Sequence, residues 1–282
     1  MSVLLVDIGN TRVKWATLAR ERVGRMKAAA HKGWGGERIA RHVVGAGLRE
    51  PTSRSKGASV ARHTTSKRIE RVVVVSVAGA RIDRAFAAEV RRRLGLAPEF
   101  FRSERRAAGV TTLYSEPWRL GADRLVGAIG AFHLSKHRPV CVVSVGTTMT
   151  LDFVDANGRH RGGAIAPAPD LMIDSLLWGT HGIRRRARGG RGSRGLFARS
   201  TRSAIAEGAR YAVAAIADRA VLEARLITGR SPLLLLTGGA APDIARLIRT
   251  RHRYVPDLVL QGLAVIASSA RPLRGYALRR NS

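Results

Sequence analysis

The stretch from Val3 to Ala16 reads VLLVDIGNTRVKWA, and it decides the fold. Its first four apolar residues predict a buried strand that runs into the carboxylate of Asp7. A turn through Gly9 follows, and Val13 and Trp15 then alternate with charged residues as in a half-exposed strand. The stretch therefore predicts a β-hairpin. Its tip suits a metal-bound phosphate, because backbone N–H groups can face the oxygens while Asp7 holds the cation. An ordinary polar hairpin turn is the alternative.

A second copy of this pattern lies between Cys141 and Asp152. Val143 to Thr148 aligns with Val6 to Thr11, so both stretches contain a strand that runs into a glycine turn with a hydroxyl residue. Two copies far apart in a chain indicate a duplicated domain. Two such turns, one in each half, could hold one polyphosphate from opposite sides.

A third glycine signal follows the apolar run Leu233 to Leu236. The run predicts a buried strand that ends in a turn at Thr237-Gly238-Gly239. The next residues, Ala240 to Ile248, predict a helix with Pro242 near its first turn, a favourable place for proline. Strand, glycines and helix start recur in nucleotide sites, although two adjacent glycines are weak support by themselves.

Five motifs in order resemble those of the type III pantothenate kinases, which include the Bvg accessory factors. The motifs are Asp7–Thr11, Gly121–Arg124, Gly146–Thr150, Gly162-Gly163 and Thr237–Gly239. The resemblance extends from Val3 to about Ala267. It implies an α/β fold of two duplicated ribonuclease H-like lobes, the actin-like ATPase fold of the acetate kinase, sugar kinase and Hsp70 superfamily, with a cleft between them. We expect an N-terminal lobe at residues 1–120 and a C-terminal lobe at residues 121–282.

The resemblance implies ATP-dependent phosphorylation of pantothenate to 4'-phosphopantothenate, the first step of coenzyme A biosynthesis. Asp123 would be the general base toward the pantothenate hydroxyl, and Asp7 would orient Mg²⁺, directly or through water. The residues alone favour a helix cap for Asp123, because an acid in a first turn complements the helix dipole. The expected nucleotide contacts are Asp7, Ile8, Gly9, Asn10, Thr11, Arg12, Val13, Lys14, Gly146, Thr147, Thr148, Gly238 and Gly239. The expected pantothenate contacts are Tyr114, Gly121, Ala122, Asp123, Arg124, Gly163 and Thr201.

The chain departs from the family pattern at three places. The family usually has aspartate at the position of Ser144, where the carboxylate binds a monovalent cation, potassium or ammonium; a serine oxygen carries no charge, so we expect weak potassium activation. Pro167-Ala168-Pro169 replaces the usual Pro-Gly, and Leu113 precedes Tyr114 where glycine is common. These two changes could reshape the pantothenate pocket.

Composition restricts the partners and the location. The chain carries 50 Lys and Arg against 20 Asp and Glu, a net charge of +30 that attracts polyanions without selecting one. The single cysteine, Cys141, lies in an apolar run and predicts an inert core thiol. No stretch approaches the roughly 18 apolar residues of a membrane span, and the N-terminus lacks a basic signal region. We therefore expect a cytoplasmic protein without membrane contact and, from the resemblance, a homodimer.

A second hypothesis is a regulatory or nucleic-acid-associated protein that keeps the kinase fold without catalysis. The net charge and the changes at Ser144 and Ala168 motivate it. The basic stretches 50–67 and 184–194 are better explained as solvated loops, since the latter has no aromatic residue for base stacking. The eight histidines are scattered without metal-ligand spacing.

Periodicity predicts the remaining elements. They are helices at 37–44, 83–94, 171–177, 202–228 and 258–270, strands at 72–77 and ending at 100–101, a helix that opens at 121, a turn at 155–158, and a loop at 111–118. In the long helix, Ile205, Ala209, Ala212, Ile216, Ala220 and Leu226 are expected to face the core, with Ser200 or Thr201 as the N-cap. Gly262 is expected to allow a close helix contact.

Overall fold

The computed structural model describes residues 2–47, 68–187 and 194–269. Contacts divide the chain into two compact units. We call residues 1–104, 118–126 and 259–282 the first unit, and residues 105–117 and 127–258 the second unit. The units are interleaved along the chain, whereas the sequence predicted one boundary after residue 120. The interleaving arises because the last described helix packs against the helix that begins at Ala122, within the first unit.

Strands and helices make up both units. The strands are β1 (Ser2–Ile8), β2 (Arg12–Ala19), β3 (Arg22–Val23), β4 (Lys27–Ala30), β5 (Arg71–Ser76), β6 (Glu99–Phe100), β7 (Arg106–Ala107), β8 (Val110–Thr112), β9 (Val140–Val145), β10 (Thr148–Val154), β11 (Arg159–Pro167), β12 (Leu233–Thr237) and β13 (His252–Tyr254). The helices are α1 (Gly36–Gly47), α2 (Ala80–Leu94), α3 (Ala122–Leu134), α4 (Pro169–Gly179), α5 (His181–Arg186), α6 (Thr201–Thr228), α7 (Ala241–Ala245) and α8 (Leu258–Ser268), with a 3-10 turn at Pro117–Arg119.

The first unit contains a mixed sheet with strand order β3-β2-β1-β5-β6, and β4 pairs with β2. Every residue of β1 is buried, which explains the uninterrupted apolar run at residues 3–6 within it. β1 pairs antiparallel with β2 and parallel with β5, so the predicted hairpin is confirmed. Residues of β1, β5, α1 and α2 form one hydrophobic core that holds Leu4, Val74, Ile39 and Phe86 without exposure to solvent.

The second unit contains a sheet with the order β13-β12-β9-β10-β11-β8-β7. β9 and β10 form the second predicted hairpin, and β12 lies parallel to β9 on its other side. The helix α6 covers this sheet with a stripe of small residues that includes Val213, Ala217 and Ala224. The two sheets therefore each have a central strand that ends at a glycine turn, as the internal similarity predicted.

Several sequence expectations need correction. Leu226 was expected to face the core, but its side chain is 78% exposed, because the buried stripe of α6 runs through Ala209, Val213 and Ala220 instead. Ala212 is also exposed. The helix after Gly239 spans only Ala241–Ala245.

Two loop predictions are wrong in part. Val110–Thr112 is a strand that pairs with β11 and β7, and Arg184–Arg186 belong to α5. The loop prediction at 50–67 lies outside the described residues, as does most of 184–194.

Other expectations are confirmed. Ser200 is the N-cap of α6, and its side chain accepts a hydrogen bond from the Ser203 N–H. Cys141 is buried, and this burial raises the pKa of its thiol to about 12, as expected of an inert core cysteine. Among the described residues, no helix has the length and apolar character that crossing a bilayer requires.

Candidate active site

The first unit presents Asp7 at the end of its central strand. In the register of the sheet, Asp7 lies opposite Lys14 of β2 and Val75 of β5. Only 7% of Asp7 is exposed, although it is a carboxylate. The apolar run at residues 3–6 of β1 therefore leads to one charged group at the edge of a dry core, which is a costly arrangement unless a partner or ligand offsets it.

The turn after Asp7 is closed by its own backbone. The Gly9 N–H donates to the Arg12 carbonyl over 3.0 Å, and Asn10 and Thr11 between them are exposed. A Cβ atom on Gly9 would lie 3.2 Å from the Arg12 carbonyl oxygen, so this close approach favours glycine. Ile8 and Val13 are fully buried on either side. Their side chains belong to the core, and only their backbone groups could contact a ligand.

Asp7 interacts electrostatically with Asp123, which lies in the first turn of α3. Burial raises the pKa of Asp7 from 3.8 to about 6; the Lys14 charge opposes this rise and the Asp123 charge adds to it. All three residues belong to the first unit. The structure thus brings together Asp7, Lys14 and Asp123, three of the charged residues that the sequence assigned to the site.

The opening of α3 shapes the surroundings of Asp123. One Asp123 carboxylate oxygen, Oδ1, accepts a hydrogen bond from the Arg124 N–H over 2.9 Å, as the capping interpretation predicts. Asp123 is half-buried, whereas Arg124 is only 9% exposed. A Cβ atom on Gly121 would lie 2.8 Å from this same Oδ1. The glycine therefore leaves room beside a carboxylate that keeps access to solvent.

The second unit carries the second glycine turn. The Gly146 N–H donates to the Thr148 carbonyl over 3.0 Å, and Val145 pairs with Met149. In the first hairpin, Ile8 pairs with Val13 instead. The second turn is therefore one residue shorter than the first, so the two copies share a pattern without sharing one turn geometry.

Gly238 packs directly against this second turn. Its φ is +94°, and a Cβ atom would lie 2.2 Å from the Val145 carbonyl oxygen, so only glycine fits here. The same carbonyl accepts a hydrogen bond from the Ala240 N–H over 3.0 Å. The structure therefore joins the Gly146 and Gly238 motifs at one edge of the second sheet. Ser144 lies beside them, paired in register with Thr237.

Tyr254 is a neighbour of this edge that the sequence did not reveal. Its hydroxyl group donates to the Gly238 carbonyl over 3.2 Å. Tyr254 ends β13, a strand of only three residues with no clear alternation to predict it.

Tyr114 is held by a buried polar network that sequence reasoning also missed. Its ring stacks on His160 at a centroid distance of 5.9 Å. The His160 side chain is fully buried between Asp152, whose Oδ1 lies 2.8 Å from Nε2, and Thr112, whose hydroxyl lies 3.0 Å from Nδ1. The Tyr114 N–H donates to that same hydroxyl over 3.3 Å. Asp152 pairs with Gly163 and His160 with Val154 in the register of the sheet, so no register pair marks this contact in the sequence.

The two remaining substrate-side residues lie elsewhere in the second unit. Gly163 is exposed on β11, opposite Asp152 of β10 and three positions after His160. Thr201 is half-buried and begins α6 directly after its capping serine. Gly163 is placed by β11, the strand that also carries His160, whereas Thr201 is placed by α6.

Comparisons with known proteins identify relatives of this chain. A sequence model described as type III pantothenate kinase matches residues 3–223. A protein named type III pantothenate kinase from Nitrosococcus oceani is 31% identical over 276 residues, which cover 96% of each chain. A protein of the same name from Azoarcus sp. is 36% identical over 267 residues, 95% of this chain and 91% of that one.

Two solved structures resemble the fold. A Campylobacter jejuni protein of the Baf family has a TM-score of 0.52 at 16% identity and covers 93% of this chain and 96% of its own. Component A of (R)-2-hydroxyglutaryl-CoA dehydratase from Acidaminococcus fermentans has a TM-score of 0.51 at 13% identity and covers 95% of this chain and 96% of its own. At these identities the likeness shows the fold alone.

Proposed function

Because the chain belongs to the type III pantothenate kinase family, an ATP-dependent kinase family that phosphorylates pantothenate, we propose that Asp123 is its general base. The structural relatives confirm the predicted actin-like ATPase fold, and family membership confirms the enzymatic function. The proposal therefore concerns which residues perform the reaction. The observation that carries it is the electrostatic interaction between Asp7 and Asp123 within the first unit.

The two acids are suited to different roles. Asp7 is buried at the base of the glycine turn, whereas Asp123 is half-buried with room left by Gly121. In the proposed reaction the pantothenate hydroxyl oxygen forms a bond to the γ-phosphorus of ATP, and the bond from that phosphorus to the β–γ bridging oxygen breaks. Asp123 receives the hydroxyl proton and ADP leaves. A positioned base typically contributes a factor of about 10² to 10⁴ in rate.

The donor set also fits Mg²⁺, the cation implied by ATP use. A divalent cation would offset the negative charge that Asp123 adds beside the buried Asp7 carboxylate, and hard oxygen ligands suit Mg²⁺. Asp7 would hold this ion, directly or through water. When bound, the ion would neutralise charge on the phosphate oxygens of the nucleotide.

The nucleotide-binding residues are proposed from their turns. In the first unit, exposed Asn10 and Thr11 lie at the tip of the hairpin and Lys14 lies in register with Asp7. In the second unit, Gly146–Thr148 and Gly238-Gly239 share one sheet edge. Backbone N–H groups at such turns are donors for phosphate oxygens.

The substrate-binding residues follow the family resemblance. Arg124 offers a planar guanidinium that suits the carboxylate of pantothenate, and its burial strengthens such a pair. Tyr114 is held in place by His160 and by the Thr112 hydroxyl. The other proposed contacts are Gly121, Ala122, Gly163 and Thr201.

We also propose that the enzyme is a homodimer formed through the second unit. Leu222, Leu226 and Ile227 of α6 and Ile165 of β11 are between 54% and 78% exposed. Ile227 also lines a largely apolar cavity of about 530 Å³ between α6 and the strands β10 and β11. Exposed apolar surface of this kind is typical of a protein interface, and a second copy is the partner that the family resemblance implies. A cytoplasmic location stays a prediction.

Turnover of ATP that depends on pantothenate tests the proposed base. Asp123→Asn keeps the size and the capping oxygen but removes the proton acceptor, so kcat should fall by about 10² or more while nucleotide affinity changes little. Glu37→Gln is the control, because Glu37 is an exposed acid in the first turn of α1. Equal kcat in wild type and Asp123→Asn would refute the assignment. Absence of turnover in wild type, with salt-sensitive DNA binding, would instead favour the regulatory hypothesis.

A further inference from the structure

A buried histidine lies directly behind the first glycine turn. His31 follows β4, whose last residue, Ala30, pairs with Arg12 in the sheet. Its side chain is only 5% exposed. Burial of a polar imidazole is costly unless it is hydrogen-bonded, so its partners indicate what it does.

Two hydrogen bonds from His31 serve the turn. Its Nε2 lies 2.8 Å from the Gly9 carbonyl oxygen, and its backbone N–H donates to the Thr11 carbonyl over 3.0 Å. A carbonyl oxygen can only accept, so the hydrogen lies on Nε2. One residue therefore holds the backbone on both sides of Asn10.

These two bonds fix the direction of the amide groups on the other side. In a trans peptide the C=O and the following N–H point in opposite directions. When the carbonyls of Gly9 and Thr11 are held toward His31, the N–H groups of Asn10 and Arg12 are directed away from it. An anion on that side meets donors that are already oriented and does not have to reorganise the turn.

We propose that His31 is a positioning residue for nucleotide binding, which holds the Gly9–Arg12 turn so that its N–H groups face the ATP phosphates. The inference rests on the proposed function of that turn. It assigns a role to a histidine that lacks metal-ligand spacing and that the sequence left without a function. In this role His31 touches neither nucleotide nor substrate and acts through the turn alone.

Two variants of similar size separate hydrogen bonding from packing. His31→Gln keeps a donor at a reach similar to that of Nε2, whereas His31→Met fills the space without a donor. His133 provides the control, because its Nε2 also lies 2.8 Å from a backbone carbonyl, that of Ala108 in the second unit. The corresponding changes are His133→Gln and His133→Met.

The measurements on the full chain are the Kd of the magnesium complex of a non-hydrolysable ATP analogue, the KM values for ATP and pantothenate, and the melting temperature. His31→Met should raise Kd for the ATP analogue and KM for ATP by about tenfold, because one hydrogen bond is lost and the turn becomes more disordered. The same variant should change KM for pantothenate by less than about twofold. His31→Gln should restore nucleotide binding to within about threefold. The His133 variants should leave both KM values unchanged.

Three results would overturn the inference. They are unchanged nucleotide affinity in His31→Met, equal loss in His31→Gln and His31→Met, or an equal rise of both KM values. Failure of the wild type to turn over pantothenate is a different result, since it would reject the proposed function while the Kd comparison still decides the role of His31.

Discussion

At the scale of single residues, the carboxylate of Asp7 is in an energetically unfavourable environment. Asp7 is the next-to-last residue of a strand in which every residue is buried, and neighbouring Asp123 adds negative charge. A ligand that supplies positive charge or donors would relieve this cost. The residue that serves binding therefore makes the unliganded protein less stable, as is common at functional sites.

Replacement of this carboxylate should stabilise the unliganded protein. The pKa of Asp7 is raised from 3.8 to about 6. The stability that the folded protein gains when Asp7 is protonated is therefore fully present below about pH 4 and is lost as pH rises through about 6. Asp7→Asn should therefore increase the free energy of unfolding near pH 8 by about 1–3 kcal/mol, and by much less near pH 4. Urea unfolding at both pH values measures this.

Replacement of Asp155 should have the opposite effect on stability. It is a buried acid that accepts hydrogen bonds from two backbone N–H groups and from Arg161. Asp155→Asn should therefore destabilise the protein near pH 8. A loss of stability in Asp7→Asn as large as in Asp155→Asn would contradict the burial cost assigned to Asp7.

Ser144 decides the response to monovalent cations. It stands where the resemblance leads us to expect an aspartate, and it offers one neutral oxygen beside Thr237. We expect the rate to change less than about threefold between sodium and potassium buffers, because no carboxylate holds the cation. Ser144→Asp should create potassium activation. A steep potassium requirement in the wild type would refute this prediction.

At the scale of elements, the sequence was most informative where burial and periodicity agree. β12 and the first strand of each glycine hairpin were predicted from uninterrupted apolar runs, and the helix α6 was predicted from apolar residues at helical spacing. The prediction of the buried face of α6 was partly wrong, because the buried stripe consists mainly of alanine and valine while the larger Leu226 is exposed. A surface leucine of this kind cannot be distinguished from a core leucine by sequence pattern alone.

The candidate site also contains residues that the sequence pattern predicts and residues that it does not. The residues of the glycine motifs could be predicted, because turns and close approaches require specific residue types, as Gly238 does. The supporting residues could not. His31, His160 and Tyr254 come from short or distant elements, and their roles depend on tertiary contacts that leave no local pattern.

The contact between α3 and α8 gives a test at this scale. A Cβ atom on Gly262 of α8 would lie 2.0 Å from the Val126 carbonyl oxygen of α3, as the predicted close helix contact requires. Gly262→Ala should therefore cost about 1–3 kcal/mol of stability. Gly208→Ala in α6 meets nothing within 4 Å and should stabilise by up to about 1 kcal/mol. Thermal or urea unfolding compares them, and equal effects would disprove the close contact.

At the scale of the whole molecule, a net charge of +30 acts on every association. Two copies repel each other at low ionic strength, and salt screens this repulsion over a Debye length of about 8 Å at physiological concentration. An apolar interface must overcome that repulsion. Dimer formation should therefore strengthen as salt is added, whereas binding to DNA should weaken.

The exposed leucine of α6 tests the proposed interface. Leu226→Glu places a charge on a side chain that is 78% exposed, so it should leave the fold intact and convert the dimer to a monomer, with a loss of at least about tenfold in association. Arg84→Glu on the exposed side of α2 is the control. Sedimentation velocity at two salt concentrations measures both. A wild type that is monomeric at micromolar concentration would refute the interface.

The place of α8 in the first unit also has a consequence for biosynthesis. Gly262 packs on α3, and the Ala267 carbonyl accepts a hydrogen bond from Arg71 over 3.0 Å. The ribosome therefore synthesises the Asp7 hairpin, and then the long stretch of chain that follows it, before α8 emerges. The Asp7 hairpin therefore lacks part of the packing of its unit until α8 has been synthesised. Folding of this unit should accordingly be completed only after α8 emerges, although its central strand precedes the second unit in the chain.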